Sequence, residues 1–356
     1  MERTLTHGGD WAGYRAEYGG QPLDFSANVS PLGLPEGVRR AAADALEDAH
    51  RYPDPLCRAL GEAIAQAEGV SPDWVLCGNG AADLIWRAAL ATRPRRALVT
   101  APAFAEYEAA LELAGCGTER FPLRAEDGFV LGEGFPEAVT PEMDLVFLCQ
   151  PNNPTGRTVP RPLLERTLAR CREGDALLVV DECFLELLDR PEDFAMKGFL
   201  GRYPNLLILK AFTKLYAMAG LRLGYCLCAD TALLGRMRGA GQPWAVSGPA
   251  QAAGIAALKE TDYVEAVRAL IRAERPRLAA ELGRLGLRVI PGEANYLLFY
   301  SPVPLGEALR RRGVLIRDCS NYHGLGRGWY RTAVRGREDN GRLIAALTEV
   351  WKEGTP

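Results

Sequence analysis

Histidine is scarce in this chain, with three in 356 residues, and they stand too far apart in the sequence to suggest a metal cluster. The nine cysteines are scattered and include no Cys-x-x-Cys pair. That pattern speaks against zinc-ribbon and dithiol redox motifs and fits reduced thiols rather than a disulfide framework. Cys226 and Cys228 alternate along an expected strand, where packing accounts for them better than metal does. The formal net charge is only −3 and the pI about 5.8, which gives no electrostatic reason to expect nucleic acid or an anionic membrane as partner. No apolar run approaches membrane-spanning length, Met1–His7 lacks a signal-peptide core, and repeats and low-complexity stretches are missing. A cytoplasmic protein is expected.

What the chain does have is length and apolar content: at 48% apolar it can bury a sizeable core in two subdomains. From about Glu36 to Ala229, strands alternate with amphipathic helices, predicting an α/β architecture with a mostly parallel sheet covered on both faces. The expected strands are Trp74–Cys77, Ala97–Thr100, Leu145–Cys149, Leu177–Val180, Leu206–Lys210 and Gly224–Cys228. A helix near Gly248–Lys259 and a long charged one over Tyr263–Leu285 lead into strands at Asn295–Tyr300, Val314–Arg317 and Trp329–Val334. The pattern divides into an N-terminal arm (1–35), a large domain (36–245) and a small C-terminal α+β domain (246–356).

Three segments carry chemistry. Leu145–Cys149 runs into Gln150-Pro151-Asn152-Asn153-Pro154-Thr155-Gly156, a turn dense in Asn, Pro and Gly. The apolar run Leu177–Val180 ends in Asp181-Glu182, where open α/β sheets place ligand-contacting groups, although a helix N-cap suits Asp181 equally well. Lys214 follows a strand within Ala211-Phe212-Thr213-Lys214, with Arg222 eight residues on. A lone loop lysine is usually a solvated charge. With a hydroxyl beside it and an arginine near, it can instead bond the aldehyde of pyridoxal phosphate while Thr213 and Arg222 hold the phosphate. Cys77-Gly78-Asn79-Gly80-Ala81 joins a strand to an apolar helix, so free N–H groups at Gly80 and Ala81 offer an anion cradle.

Together these segments resemble the aspartate-aminotransferase superfamily of pyridoxal phosphate enzymes, the fold-type-I group, along nearly the whole chain. That resemblance implies a mostly parallel, seven-stranded-type sheet between helices and a small C-terminal domain. By it, Lys214 bonds the cofactor, Asn153 donates to the phenolic oxygen, Asp181 pairs with the pyridinium nitrogen and Arg222 binds phosphate. Phe104 stacks on the ring, with a plain core phenylalanine as the rival reading. Tyr52 reaches across a homodimer interface to the neighbouring cofactor phosphate. Phe184 departs from the family, which commonly has a tyrosine there, and leaves Asn153 as the main donor to the phenolic oxygen.

The chain ends select the reaction. His7-Gly8-Gly9-Asp10, followed by Asp24-Phe25-Ser26-Ala27-Asn28-Val29-Ser30-Pro31-Leu32-Gly33, resembles the threonine-phosphate decarboxylase branch, which makes the aminopropanol phosphate linker of cobalamin. The neighbouring histidinol-phosphate aminotransferases share only the Asn-x-x-Pro-Leu-Gly part. The glycine pair lets backbone N–H groups approach a phosphate closely. Arg331 then matches the arginine that takes the α-carboxylate, and Arg317 has the place of a phosphate contact, joined by His7, Gly8 and Asn28; Arg335 could support the pair. The implied substrate is a small phosphorylated amino acid. Histidinol-phosphate or related amino-acid transamination, and a preference for phosphoserine, stay open. A regulatory protein on the same fold would carry a DNA-binding domain ahead of residue 30, for which the sequence is expected to leave no room.

Overall fold

The computed structural model describes residues 7–354. Thirteen strands occur among them: β1 (Leu23–Asp24), β2 (Val75–Gly78), β3 (Arg96–Ala101), β4 (Gly117–Pro122), β5 (Leu145–Cys149), β6 (Leu177–Asp181), β7 (Leu206–Ala211), β8 (Gly224–Leu227), β9 (Arg288–Val289), β10 (Tyr296–Tyr300), β11 (Val314–Leu315), β12 (Arg317–Asp318) and β13 (Trp329–Ala333). Seven of them form one sheet in the order β2-β8-β7-β6-β5-β3-β4. Every pairing from β7 to β4 is parallel, and β8 runs antiparallel to both of its neighbours.

Period-two alternation sorts the central strands into two cores. Val146, Leu148, Leu178, Val180, Leu206 and Ile208 pack on one face. Leu145, Phe147, Leu177, Val179, Leu207 and Leu209 pack on the other, together with Cys226 and Cys228. The near-continuous apolar runs of the sequence are therefore strands buried on both sides, as parallel sheets require.

The small sheet has the order β12-β13-β10-β9. The expected single strand Val314–Arg317 is broken at Ile316. Val314 and Leu315 pair in parallel with Leu23 and Asp24 of the N-terminal arm, whereas Arg317 and Asp318 pair with β13. The arm is fixed by a buried carboxylate: Asp24 accepts from the Ser26 N–H and hydroxyl and, at 2.7 Å, from Trp11 Nε1. The sheet's edge strand β4 is also absent from the sequence expectations. Its sequence, Gly-Thr-Glu-Arg-Phe-Pro, is polar and has no buried residue, so it carries no strand signal of its own.

A charged cluster is buried in the sheet region, around Lys210. Lys210 Nζ lies 2.8 Å from both Glu68 and Glu186, and Tyr225 donates to Glu68 at 2.5 Å. Glu182 accepts one bond, from the Met196 N–H, and its Oε2 has no partner among the described residues. Burial lifts Glu182 from the ordinary 4.5 to about 7, against the pull of Lys210. A carboxyl raised in the folded state binds its proton where the unfolded chain has lost it, so this group's contribution to stability falls as pH rises from 4.5 through 7. Glu182→Gln removes that loss. Relative to the parent, the variant should gain up to about 3 kcal/mol in urea melts between roughly pH 5 and pH 8.

Candidate active site

A cavity of about 530 Å³ opens at the carboxyl ends of β5, β6 and β7, lined there by Cys149, Asp181 and Ala211. This is where an open α/β sheet binds its ligands. Strand β7 ends in a single helical turn, Phe212–Leu215, which carries Thr213 and Lys214 to the wall. Lys214 Nζ lies 5.4 Å from the centre of the Phe184 ring. Desolvation first, then the charges of Arg331 and Arg222, lower its pKa to about 8, against Cys183 and Asp181. A neutral amine is thus within reach near neutrality.

At the end of β6, buried Asp181 accepts from the Cys183 N–H at 3.0 Å and from the Tyr107 hydroxyl at 2.6 Å. Gly80 and Ala81 open the helix Gly80–Thr92. Gly80 has φ +77°, and a Cβ there would stand 2.8 Å from Arg222 Nη2; a Cβ on Gly224 would stand 2.5 Å from the Ala81 nitrogen. Two glycines therefore let a helix N-terminus, a strand and a guanidinium converge, the composition of a phosphate cradle.

The arm and the small sheet supply the far wall. Arg317 and Arg331 are registered directly opposite each other across β12 and β13, and both are buried. Arg331 donates to Asn153 Oδ1 and to the Ser26 carbonyl, while its Nε has no partner among the described residues. Arg317 donates to Asn321 at 2.7 Å and lies over the Tyr322 ring. Asn28 is 2% exposed, and neither its Nδ2 nor its Oδ1 has a partner among the described residues. His7 is 2.7 Å from Glu106, which also accepts from Trp86; the His7 bond, against partial burial, keeps the Glu106 carboxyl below its usual range.

Of the residues singled out in the sequence, His7, Gly8, Asn28, Ala81, Phe104, Asn153, Asp181, Thr213, Lys214, Arg222, Arg317 and Arg331 line this one cavity. Gly80 stands directly behind Arg222. Tyr52 does not reach it: it is 80% exposed and stacks on Trp244 at 4.6 Å. Arg335 lies outside the lining, tied to Asp339 and to the Asp24 carbonyl. Phe184 meets Tyr296 edge-on, and that tyrosine spends its hydroxyl on the Asn152 carbonyl rather than in the cavity.

Tyr107, Glu106, Ser26 and Tyr322 were not foreseen. The first two follow Phe104 in the first turn of the helix Ala105–Leu113, and that adjacency was the available signal.

A low-pKa lysine, a carboxylate at the next strand end and a phosphate cradle, set on this mixed sheet, define a pyridoxal phosphate-dependent enzyme of fold type I. The chain belongs to the aminotransferase class I and II family, whose model matches residues 21–347. It is 41% identical to the threonine-phosphate decarboxylase of Salmonella typhimurium, over 93% of this chain and 91% of that protein. It is 36% identical to histidinol-phosphate aminotransferase 1 of Cupriavidus pinatubonensis, over 93% and 88% respectively. The solved histidinol-phosphate aminotransferase of Clostridium acetobutylicum superposes with a TM-score of 0.87 at 27% identity, over 93% of this chain and 99% of that one. Among the described residues, no helix is long and apolar enough to cross a membrane.

Proposed function

We propose that the protein decarboxylates O-phospho-L-threonine to (R)-1-amino-2-propanol phosphate, the linker unit of cobalamin. One observation carries this reading: two buried guanidinium groups, Arg317 and Arg331, stand as direct cross-strand partners in the wall facing Lys214. Like charges directly opposite are destabilising unless anions compensate them. A substrate with both a phosphate and a carboxylate supplies two.

Arg331 is assigned the carboxylate, by a two-point guanidinium contact. Arg317, His7, Asn28 and the Gly8 N–H are assigned the phosphate. Asp181 faces the ring nitrogen of the cofactor, Asn153 its phenolic oxygen, Phe104 its face, and Gly80, Ala81, Thr213 and Arg222 its phosphate. The cofactor, when bound, draws electrons from the substrate Cα. The bond to be broken must stand perpendicular to the ring, so the direction in which Arg331 holds the carboxylate chooses between loss of carbon dioxide and loss of the Cα proton. Lys214 is placed to return a proton to Cα. The same cavity wall packs out water around both arginines.

The identity to the Salmonella decarboxylase favours this reading, and the likeness to histidinol-phosphate aminotransferases keeps transamination as the second. Incubation with phosphothreonine should release carbon dioxide stoichiometrically with aminopropanol phosphate. Amino transfer to 2-oxoglutarate without gas would assign the chain to the second class.

The paired β1 and β11 support a division into arm (1–35), large domain (36–245) and small domain (246–356). The exposed Tyr52–Trp244 stack is the surface on which a second copy is proposed to dock, bringing Tyr52 to the neighbouring cradle.

A further inference from the structure

We infer that Tyr107 is a positioning residue that fixes the plane of Asp181 and couples it to Phe104, so that the cofactor's ring nitrogen and ring face are located by one helical turn. The inference rests on the proposed reading of Asp181 as the partner of that nitrogen.

A carboxylate held through one oxygen can still swing about its Cβ–Cγ bond. Asp181 is held through both: Oδ1 by the Cys183 N–H at 3.0 Å and Oδ2 by the Tyr107 hydroxyl at 2.6 Å. The first anchor belongs to the same loop as Asp181 and moves with it. The second comes from a different element, the helix Ala105–Leu113, seventy-four residues away in sequence. A charge-assisted O–H to carboxylate bond of this length is among the stronger hydrogen bonds available to a side chain.

The phenol is itself immobile. Tyr107 is 1% exposed and lies parallel to Phe147, with ring centres 4.7 Å apart and an interplanar angle of 7°. On its other side it meets Phe104 edge-on at 5.7 Å and 81°. Phe104 lines the cavity, where a flat ring would stack on it. A shift of Tyr107 would therefore displace both the carboxylate and the stacking ring. Burial, and then the Asp181 charge, push the Tyr107 pKa up, so the phenol stays a donor throughout the working pH range.

Tyr107→Phe keeps the ring and both aromatic contacts and deletes only the donor. The test titrates apoenzyme with pyridoxal phosphate carrying a ¹⁵N ring nitrogen, and reads the dissociation constant and the ¹⁵N resonance. With Tyr107→Phe, affinity should fall about 10-fold, the worth of a hydrogen bond to a charged group. The resonance should move toward that of the unprotonated ring. Replacing Tyr107 by 3-fluorotyrosine, which retains the donor, should restore both. Tyr107→Phe leaving affinity and resonance unchanged, while Asp181→Asn shifts them, overturns the inference and spares the reading of Asp181. If Asp181→Asn also leaves the resonance in place, the reading of Asp181 fails and the inference falls with it. A merely structural loss would lower the melting temperature without moving the resonance, and would equally overturn it.

Discussion

Lys214→Ala is expected to remove carbon dioxide release from phosphothreonine by about 10⁴-fold or more and to erase the visible absorbance of the lysine-bound cofactor. No other lysine is placed to substitute. The chain has only five, at 197, 210, 214, 259 and 352. Lys210, the nearest in sequence, is buried between Glu68 and Glu186, and its pKa is high because those carboxylates and Tyr225 overcome the cost of burying it. Four residues separate two lysines with opposite electrostatics. Lys214 is desolvated beside Arg331 and Arg222 and titrates at about 8, so the fraction of neutral, nucleophilic amine rises as pH rises through that value. Capture of pyridoxal phosphate by apoenzyme should accelerate across the same interval, followed by stopped-flow absorbance. A rate independent of pH there would show that the amine is not the group that limits capture. Retention of the visible band by the Ala variant would displace Lys214 from its role.

The cofactor wall was legible because each part sits where a strand ends, and strand ends were readable from apolar runs. Leu145–Cys149 appears with its expected bounds, and Asp181 falls at the last residue of β6. Legibility fades where structure depends on partners remote in sequence. The edge strand β4 owes its existence to pairing with β3, not to its own composition. The break at Ile316 exists because one neighbour, β1, comes from the arm and the other, β13, from beyond the next loop. Arg317 and Arg331 were recognisable singly, by their place near expected strands. Their direct opposition required the register. Tyr107 was invisible for a related reason: a tyrosine in a helix start reads as core, and its hydroxyl acquires a task only when β6 delivers Asp181 to it. Asn28 and Arg331 carry buried polar atoms with no protein partner among the described residues. Such atoms violate the satisfaction rule unless a ligand answers them, and no pattern in the sequence marks them.

The opposed arginines give the second large effect, one that separates binding of the two anionic ends of the substrate. Arg331→Ala should lower kcat/KM for phosphothreonine about 10²- to 10³-fold, the range for removing one partner of a buried charge pair. Arg331→Lys should recover little of it, since a lysine cannot make the two-point contact and would leave the Asn153 oxygen and the Ser26 carbonyl to share one ammonium. Arg317→Ala should cost a similar factor for phosphothreonine but should cost almost nothing for threonine, which lacks the phosphate. The ratio of kcat/KM between the two substrates thus reports which arginine grips which end. A collapse of that ratio in Arg317→Ala with its retention in Arg331→Ala supports the assignment, and the reverse pattern exchanges the two roles. The assignment also predicts where the product distribution changes. With Arg331 gone the carboxylate is no longer held out of the ring plane, while the phosphate end stays fixed by Arg317, Asn28 and His7. The residual turnover of Arg331→Ala should therefore shift from carbon dioxide release toward Cα proton exchange, measurable as deuterium incorporation into recovered phosphothreonine in heavy water. An Arg331→Ala enzyme whose slow turnover is still all decarboxylation would place the control of bond choice elsewhere in the cavity.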